Sequence, residues 1–188
     1  MTQPRAGSML SLFWTPIVAI GASDGARPNA QISVSTFGAS VVPDRPRLIC
    51  VLYKANHTHD LAVSSRSFSV SVLAEEQVDL IPALGFVSGR DRDKLDGLDY
   101  TLTQRGNSVF TGCTGWLECE VIEMSNLGDS TAFLAAVLRH ERLREGYGLT
   151  WSRLAPTLPP GWLETWNAKL AGDIVKYREL MHWLDEGG

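Results

Sequence analysis

Residues 29–73 read NAQISVSTFGASVVPDRPRLICVLYKANHTHDLAVSSRSFSVSVL and carry the clearest structural pattern of the chain. Residues 29–37 alternate between hydroxyl and apolar side chains, which is typical of a strand with one polar face and one core face. Pro43 and Pro46 predict a turn, and the apolar run at 48–52 predicts a buried strand. The segment therefore predicts two strands joined by a turn.

The second predicted strand is followed by the loop KANHT at 54–58. A helix is predicted over 58–65, with Thr58 as N-cap and Asp60 in the first turn, where a negative charge suits the helix dipole. The first turn of a helix has free backbone N–H groups that can bind an anion, and Lys54 adds a positive charge. The loop is thus either an ordinary capped connection or a phosphate-binding loop, and the two are compatible.

The remaining segments predict many short strands and few helices. A helix is predicted over 75–84, broken or kinked at Pro82, and a loop or short helix over 85–97. This content favours an antiparallel barrel over a doubly wound parallel sheet. No Gly-x-Gly-x-x-Gly pattern opens a helix, so a Rossmann dinucleotide site is not expected. The further predicted strands are 17–20, 68–73, 100–103, 116–123 and 131–139.

The C-terminal part predicts an amphipathic helix after a Pro-rich hinge at 156–160. Its apolar stripe needs a burial partner, either its own barrel or a second subunit. We therefore expect a barrel domain over 1–155 and a helical extension over 156–188. The stripe consists of Leu163, Trp166, Leu170, Ile174, Tyr177, Met181 and Leu184.

Composition restricts the class of function. The chain is 44% hydrophobic and 20% charged with a net charge of -4, which does not favour nucleic-acid binding. No apolar run approaches the ~18 residues of a membrane span, and residues 1–23 fit a first strand better than a cleaved signal peptide. The odd number of scattered cysteines predicts buried free thiols in a reducing cytoplasm. His57 and His59 are expected to be exposed loop residues, and no metal site is expected.

The order and spacing of these motifs resemble the flavin reductase-like FMN-binding split-barrel family. Its members carry an Asn-Ala-x-x-Ser/Thr-x-Ser-Ser/Thr-Phe strand, matched at 29–37, and a Lys-x-x-x-Thr phosphate loop, matched at 54–58. The resemblance implies a mainly β fold with flanking helices, a six-stranded antiparallel split β-barrel. It also implies a homodimer with FMN at the subunit interface. The FMN-binding residues implied are Asn29, Gln31, Ser33, Val34, Ser35, Thr36, Ser40, Lys54, Asn56 and Thr58.

The segment Gly128-Asp129-Ser130 is similar to the family's Gly-Asp-His motif, in which the His lies on the nicotinamide side of the flavin. Ser130 takes the place of that His and is expected on the substrate side. The alternative is that Ser130 only caps a turn before the strand at 131–139. Cys119 lies in a strand similar to a family core strand and is expected to be a small apolar filler rather than a nucleophile.

The resemblance implies an oxidoreductase, namely an NAD(P)H-dependent flavin reductase that transfers hydride through FMN, with NADH or NADPH as co-substrate. A flavin-dependent monooxygenase is a candidate acceptor. Two alternatives remain: an FMN-dependent enzyme acting on an organic substrate, or a non-enzymatic binder of flavin or haem. The sequence contains no catalytic triad or carboxylate pair, so no side chain is assigned a catalytic role.

Overall fold

A computed structural model of the chain describes residues 9–14 and 16–181. The described part contains mostly short strands, with helices at the connections. The strands are β1 (Val18–Ala22), β2 (Asn29–Ser33), β3 (Thr36–Gly38), β4 (Arg47–Tyr53), β5 (Ser67–Val72), β6 (Tyr100–Leu102), β7 (Ser108–Phe110), β8 (Gly115–Asn126) and β9 (Ser130–Arg142). The helices are α1 (His57–Ser65), α2 (Leu80–Gly85), α3 (Trp151–Leu154) and α4 (Trp162–Tyr177), with 3-10 turns at Met9–Phe13, Ala155–Thr157 and Arg178–Leu180.

One antiparallel sheet of seven strands dominates the fold, in the order β2-β1-β5-β8-β9-β4-β3. Its edge strands β2 and β3 are joined only by Val34 and Ser35. The sheet must therefore curl until its edges meet, and the backbone N–H of Val51 in β4 donates to the carbonyl of Ser35 at 2.9 Å. The predicted mainly β barrel is confirmed. It has seven strands rather than six because the strand predicted at 29–37 bends between β2 and β3.

Two hydrophobic clusters hold the barrel and its helices together. The first fills the barrel interior and includes Cys50, Phe68 and Phe133, each fully buried. The second lies between the barrel and the helices α2 and α3, and includes Leu84 and Leu154. Complete burial of such side chains stabilises the fold by about 1.5–3 kcal/mol each. The second cluster fixes the position of the helices that surround the cavity described below.

The start of α1 differs from the prediction. The helix begins at His57, and Asn56 occupies the N-cap position with extended backbone angles. Thr58 is therefore not the N-cap: it is fully buried inside the first turn, where its hydroxyl accepts a hydrogen bond from the amide of Asn29 at 2.8 Å. His59 was expected to be exposed and is buried, because its ring turns inward to the hydroxyl of Thr131 at 2.9 Å.

The helix predicted over 75–84 is shorter than expected. It begins at Leu80, because the carboxamide of Gln77 binds the backbone N–H of Ala74 and holds the preceding residues in turns. Pro82 lies in the first helical turn, where its missing N–H costs no hydrogen bond. Among the described residues, no helix has both the length and the hydropathy needed to cross a bilayer.

Candidate functional site

A cavity of about 710 Å³ lies between the barrel and the C-terminal helix. Ligand pockets of this size, roughly 300–1,000 Å³, enclose small organic molecules and cofactors. One wall is formed by β2 and the two residues that follow it. The opposite wall is α4, and the floor includes α2 and α3.

The β2 wall brings together four of the predicted cofactor-binding residues: Gln31, Ser33, Val34 and Ser35. Gln31 and Ser33 are 4% and 7% exposed, and the hydroxyl of Ser33 already accepts a hydrogen bond from the backbone N–H of Ser35 at 3.2 Å. The side-chain oxygen of Gln31 is buried and has no hydrogen-bond partner among the described residues. Such an acceptor destabilises a fold unless a ligand satisfies it.

Two other predicted residues, Asn29 and Thr58, lie behind this wall rather than in it. They are 4% and 0% exposed and bind each other through their side chains. This pair ties β2 to the first turn of α1. It positions the polar wall and the loop at 54–57 relative to each other, although neither side chain lines the cavity.

Asn56 also lines the cavity, at the start of α1. The loop before α1 is braced by Arg90, whose guanidinium donates to the carbonyl of Ala55 at 2.7 Å and forms an ion pair with Asp60. Burial is the main cause that holds the pKa of His57 below its usual value; the charge of Arg90 adds to this effect, and the charge of Asp60 opposes it. The first turn of α1 has free backbone N–H groups and the positive end of a helix dipole, which favour an anion.

Arg90 was missed by the sequence analysis. Its role depends on contacts 30 and 35 residues away in the chain, with Asp60 and Ala55. Locally it belongs to the run RDRDK, in which charges of both signs alternate and indicate only an exposed loop. No local signal in the sequence would have identified it.

Three predicted cofactor residues lie away from the cavity lining. The ammonium of Lys54 donates to the side chain of Asn126 at 2.6 Å, at the tip of the β8–β9 hairpin. The hydroxyl of Ser40 donates to the carbonyl of Arg45 at 2.9 Å and stabilises the turn before β4. The hydroxyl of Thr36 lies 3.4 Å from the sulfur of Cys50. The cofactor-binding roles of these residues stay predictions.

Ser130 is the first residue of β9, and it is 4% exposed. Its hydroxyl donates to the carboxylate of Asp129 at 2.8 Å, and its carbonyl closes the hairpin by accepting from the N–H of Leu127 at 3.0 Å. Asp129 lines the cavity, and Ser130 does not. The substrate-side role of Ser130 stays a prediction, and Asp129 is the residue of this motif that reaches the cavity.

The predicted apolar stripe lies largely on α4, on the side that lines the cavity. Trp166 and Tyr177 are members of the stripe that line the cavity, and Leu184 lies outside the described residues. The ring of Trp166 packs against those of Trp14 and Trp151, with centroid distances of 5.7 and 6.1 Å. No described residue of α4 is buried, so the packing of the stripe on the barrel or on a second subunit stays a prediction.

The cysteines are buried free thiols, as predicted. Burial raises the pKa of the Cys50 thiol to about 12 and also raises the pKa of Cys119, which makes Cys119 a packing residue rather than a nucleophile. Among residues 9–14 and 16–181, no three His, Cys, Asp or Glu side chains form a group that could hold a metal ion.

The sequence of residues 9–155 matches the family described as "Flavin reductase like domain". This chain belongs to that family. Its relatives include a high molecular weight rubredoxin of Moorella thermoacetica, 30% identical over 135 residues, which cover 71% of this chain and 58% of the relative. The reductase subunit HsaB of a flavin-dependent monooxygenase of Rhodococcus jostii is 27% identical over 173 residues, 88% of this chain and 86% of the relative. The chain spans only 43% of another relative, from Rhizobium meliloti.

Solved structures of the flavin reductase-like family share this fold. An FMN-binding protein of Thermus thermophilus with bound p-hydroxybenzaldehyde superposes with a TM-score of 0.66 at 25% identity, covering 76% of this chain and 80% of that protein. The NADH:FAD oxidoreductase SgcE6 of Streptomyces globisporus, in complex with NAD and FAD fragments, gives 0.63 at 25% identity, covering 74% and 82%.

The cavity of this family member fits a flavin on the evidence of its own residues. A flavin ring has N–H and carbonyl groups along one edge and is otherwise flat and apolar. The unpaired side-chain oxygen of Gln31 can accept from the N–H of that edge, and the apolar floor, which includes Ile81 and Leu84, suits the face of the ring. The start of α1 lies at the same cavity, and its free backbone N–H groups suit a phosphate.

Proposed function

We propose that this chain is an FMN-dependent oxidoreductase of the NAD(P)H:flavin reductase type. NADH or NADPH supplies a hydride, which passes through FMN to an acceptor. The observation that carries the proposal is the unpaired side-chain oxygen of Gln31 in the polar wall of a cavity that is otherwise mainly apolar. When bound, FMN supplies the hydride chemistry, and the protein supplies binding, orientation and exclusion of water.

The β2 wall orients the cofactor in this proposal. Gln31 donates to or accepts from the polar edge of the ring, and Ser33 and Ser35 bind the ring or the ribityl chain through hydroxyl and backbone groups. The tryptophan and leucine side chains of the opposite walls keep water from the ring. No side chain of this chain is given a proton-transfer role.

The phosphate of FMN is placed at the start of α1, beside the loop at 54–57. Support comes from the backbone N–H groups of the first helical turn and from Arg90, whose guanidinium lies against this loop at the carbonyl of Ala55. A site for one phosphate favours FMN over FAD. The complex of the Streptomyces globisporus oxidoreductase with NAD and FAD fragments supports a nicotinamide reductant and makes FAD the alternative flavin.

A homodimer is part of the proposal. The outer face of β3, β4 and β9 carries apolar side chains that are only partly buried, such as Phe37, Ile49 and Leu134. Val51 lies on this outer face and also lines the cavity, so the two surfaces are continuous. A second copy on this face would complete the cavity from outside. A flavin-dependent monooxygenase is the proposed acceptor, by analogy with the Rhodococcus jostii reductase subunit.

A second candidate function is oxidation or reduction of an organic substrate by FMN. It is favoured by Ser130, which takes the place of the imidazole in the family's Gly-Asp-His motif. In this case NAD(P)H would not be the ligand that docks beside the flavin.

The decisive experiment begins with the absorption spectrum of the purified protein, which separates flavin from haem. Titration with FMN, FAD and riboflavin, followed by flavin fluorescence, then tests the phosphate site. We expect FMN to bind most tightly, and Lys54→Ala to weaken FMN binding by ~1–3 kcal/mol, as for a hydrogen bond to a charged group. Arg105→Ala is the control, because Arg105 is also exposed but pairs with Glu120 on another part of the barrel.

Steady-state oxidation of NADH and NADPH with FMN as acceptor tests the activity. Rapid oxidation of either supports the reductase. FMN binding without NAD(P)H oxidation favours the second candidate, and equal affinity for FMN and riboflavin refutes the phosphate site. Light scattering of the FMN-loaded chain tests the dimer.

A further inference from the structure

The α4 wall of the cavity lies outside residues 9–155, the segment that matches the family. It is strongly aromatic. Trp166 packs against Trp14 and Trp151, and Trp162 packs edge-on against Phe86 with a centroid distance of 5.6 Å. Rigid aromatic walls favour planar ligands, which can stack against the rings or contact them edge-on.

The same wall carries a positive charge. Lys169 lines the cavity, and its ammonium donates to the carbonyl of Gly85, at the end of α2, at 2.9 Å. An ammonium group has three N–H donors, and this is the only hydrogen bond that Lys169 makes to another described residue. Two donors remain for a ligand.

A second lysine lies close to Lys169. Lys94 is 7% exposed, and no hydrogen bond or ion pair joins it to another residue in the described part of the chain. Burial, and then the charges of Lys169 and Arg92, lower the pKa of Lys94 to about 7. Burial also lowers the pKa of Lys169, although Asp173, one helical turn further on, opposes this. Lys94 does not line the cavity, so the ammonium that a ligand in the cavity can contact is that of Lys169.

We propose that the α4 wall binds a planar aromatic molecule carrying one negative charge, with its ring against Trp166 and its charge at Lys169. The inference rests on the proposed function, because a flavin would occupy the β2 side of the same cavity. An aromatic carboxylate satisfies both features of the wall. A carboxylate can accept from the two remaining N–H donors of Lys169 through charge-assisted hydrogen bonds, which are stronger than those an uncharged molecule can make.

The test compares two probes of the same shape, 2-naphthoate and the uncharged 2-naphthamide, by calorimetric titration of the intact chain with and without FMN. We expect naphthoate to bind about 10- to 100-fold more tightly, the factor expected for a hydrogen bond to a charged group. Lys169→Met should remove this preference, and Lys169→Arg should retain it. Trp166→Leu should weaken both probes by a similar factor.

Lys176→Met is the matched control. Lys176 is on the same helix, is exposed and does not line the cavity, so the preference for naphthoate should survive its replacement. Equal affinity for the two probes overturns the inference, as does equal loss of preference in Lys169→Met and Lys176→Met.

The outcomes separate this inference from the proposed function. Rapid FMN-dependent oxidation of NADH without selective binding of naphthoate overturns the aromatic-anion site alone. Selective binding of naphthoate by a protein that does not bind flavin overturns the reductase function alone.

Discussion

Replacing Gln31 with methionine should change stability and cofactor binding in opposite directions. The side-chain oxygen of Gln31 is buried without a partner, and an unsatisfied buried polar group costs ~1–3 kcal/mol. Methionine has a similar length and no group that requires a hydrogen bond. We therefore expect Gln31→Met to raise the free energy of unfolding of the flavin-free protein by about 1–2 kcal/mol. If FMN satisfies the carboxamide, the same change should weaken FMN binding by about 5- to 30-fold.

Urea unfolding of the flavin-free chain and fluorescence titration with FMN measure the two effects. Gln77→Met is the control, because both ends of that carboxamide are paired: the oxygen accepts from the N–H of Ala74 at 3.1 Å, and the nitrogen donates to the carbonyl of Thr111 at 2.9 Å. Gln77→Met should lower stability by about 1 kcal/mol and leave FMN affinity unchanged. Loss of stability in Gln31→Met, with unchanged FMN affinity, would refute the reasoning.

Three further predictions concern buried groups. Thr58→Val should lower the free energy of unfolding by ~1–3 kcal/mol, because it leaves the buried amide of Asn29 unpaired. A loss of less than about 0.5 kcal/mol, measured by urea unfolding, would contradict this. The pKa of Lys94 falls from 10.5 to about 7 on folding, so the unfolded chain binds more protons across that window and stability rises with pH. Lys94→Met should therefore be more stable than the wild type at pH 6, and this difference in stability should shrink between pH 7 and about 10.5. A difference in melting temperature between the two proteins that does not vary with pH would count against this prediction. The three buried cysteines should react with Ellman's reagent at pH 8 only as the chain unfolds, and rapid labelling of the native protein would show that they are accessible.

The strands of this fold could be predicted from the sequence because period-two alternation reports directly on burial. In β4, every second residue is buried, as the pattern of residues 47–53 indicates. The bend between β2 and β3 could not be predicted, since residues 29–37 alternate without interruption. It follows from closure of the sheet, which depends on pairing between strands that are distant in sequence.

The site was predicted less completely than the fold. Gln31 and Ser33 lie in a common wall because alternate positions on a strand point to the same face, and their roles in binding a cofactor stay predictions. Thr58 was predicted at the helix start, but its side chain turns inward to Asn29, a partner 29 residues away. The contacts of Arg90 and Lys94 depend on tertiary packing and leave no local pattern in the sequence.

The motif at 128–130 shows how strand register selects the residue that reaches the cavity. Tyr53 pairs with Ser130 in the β4–β9 ladder, and the N–H of Lys54 donates to the carbonyl of Asp129 at 3.1 Å. This pairing brings the hairpin tip beside the loop at 54–57 and turns Asp129, not Ser130, to the cavity. Ser130→His should therefore crowd the start of β9 and lower the melting temperature. The rate of flavin reduction by NADH at saturating FMN should stay within about twofold of the wild-type rate. This change is smaller than the tenfold change that corresponds to about 1.4 kcal/mol in the activation free energy. A stopped-flow measurement that finds a large change in this rate, with the melting temperature unaltered, would place Ser130 beside the flavin after all.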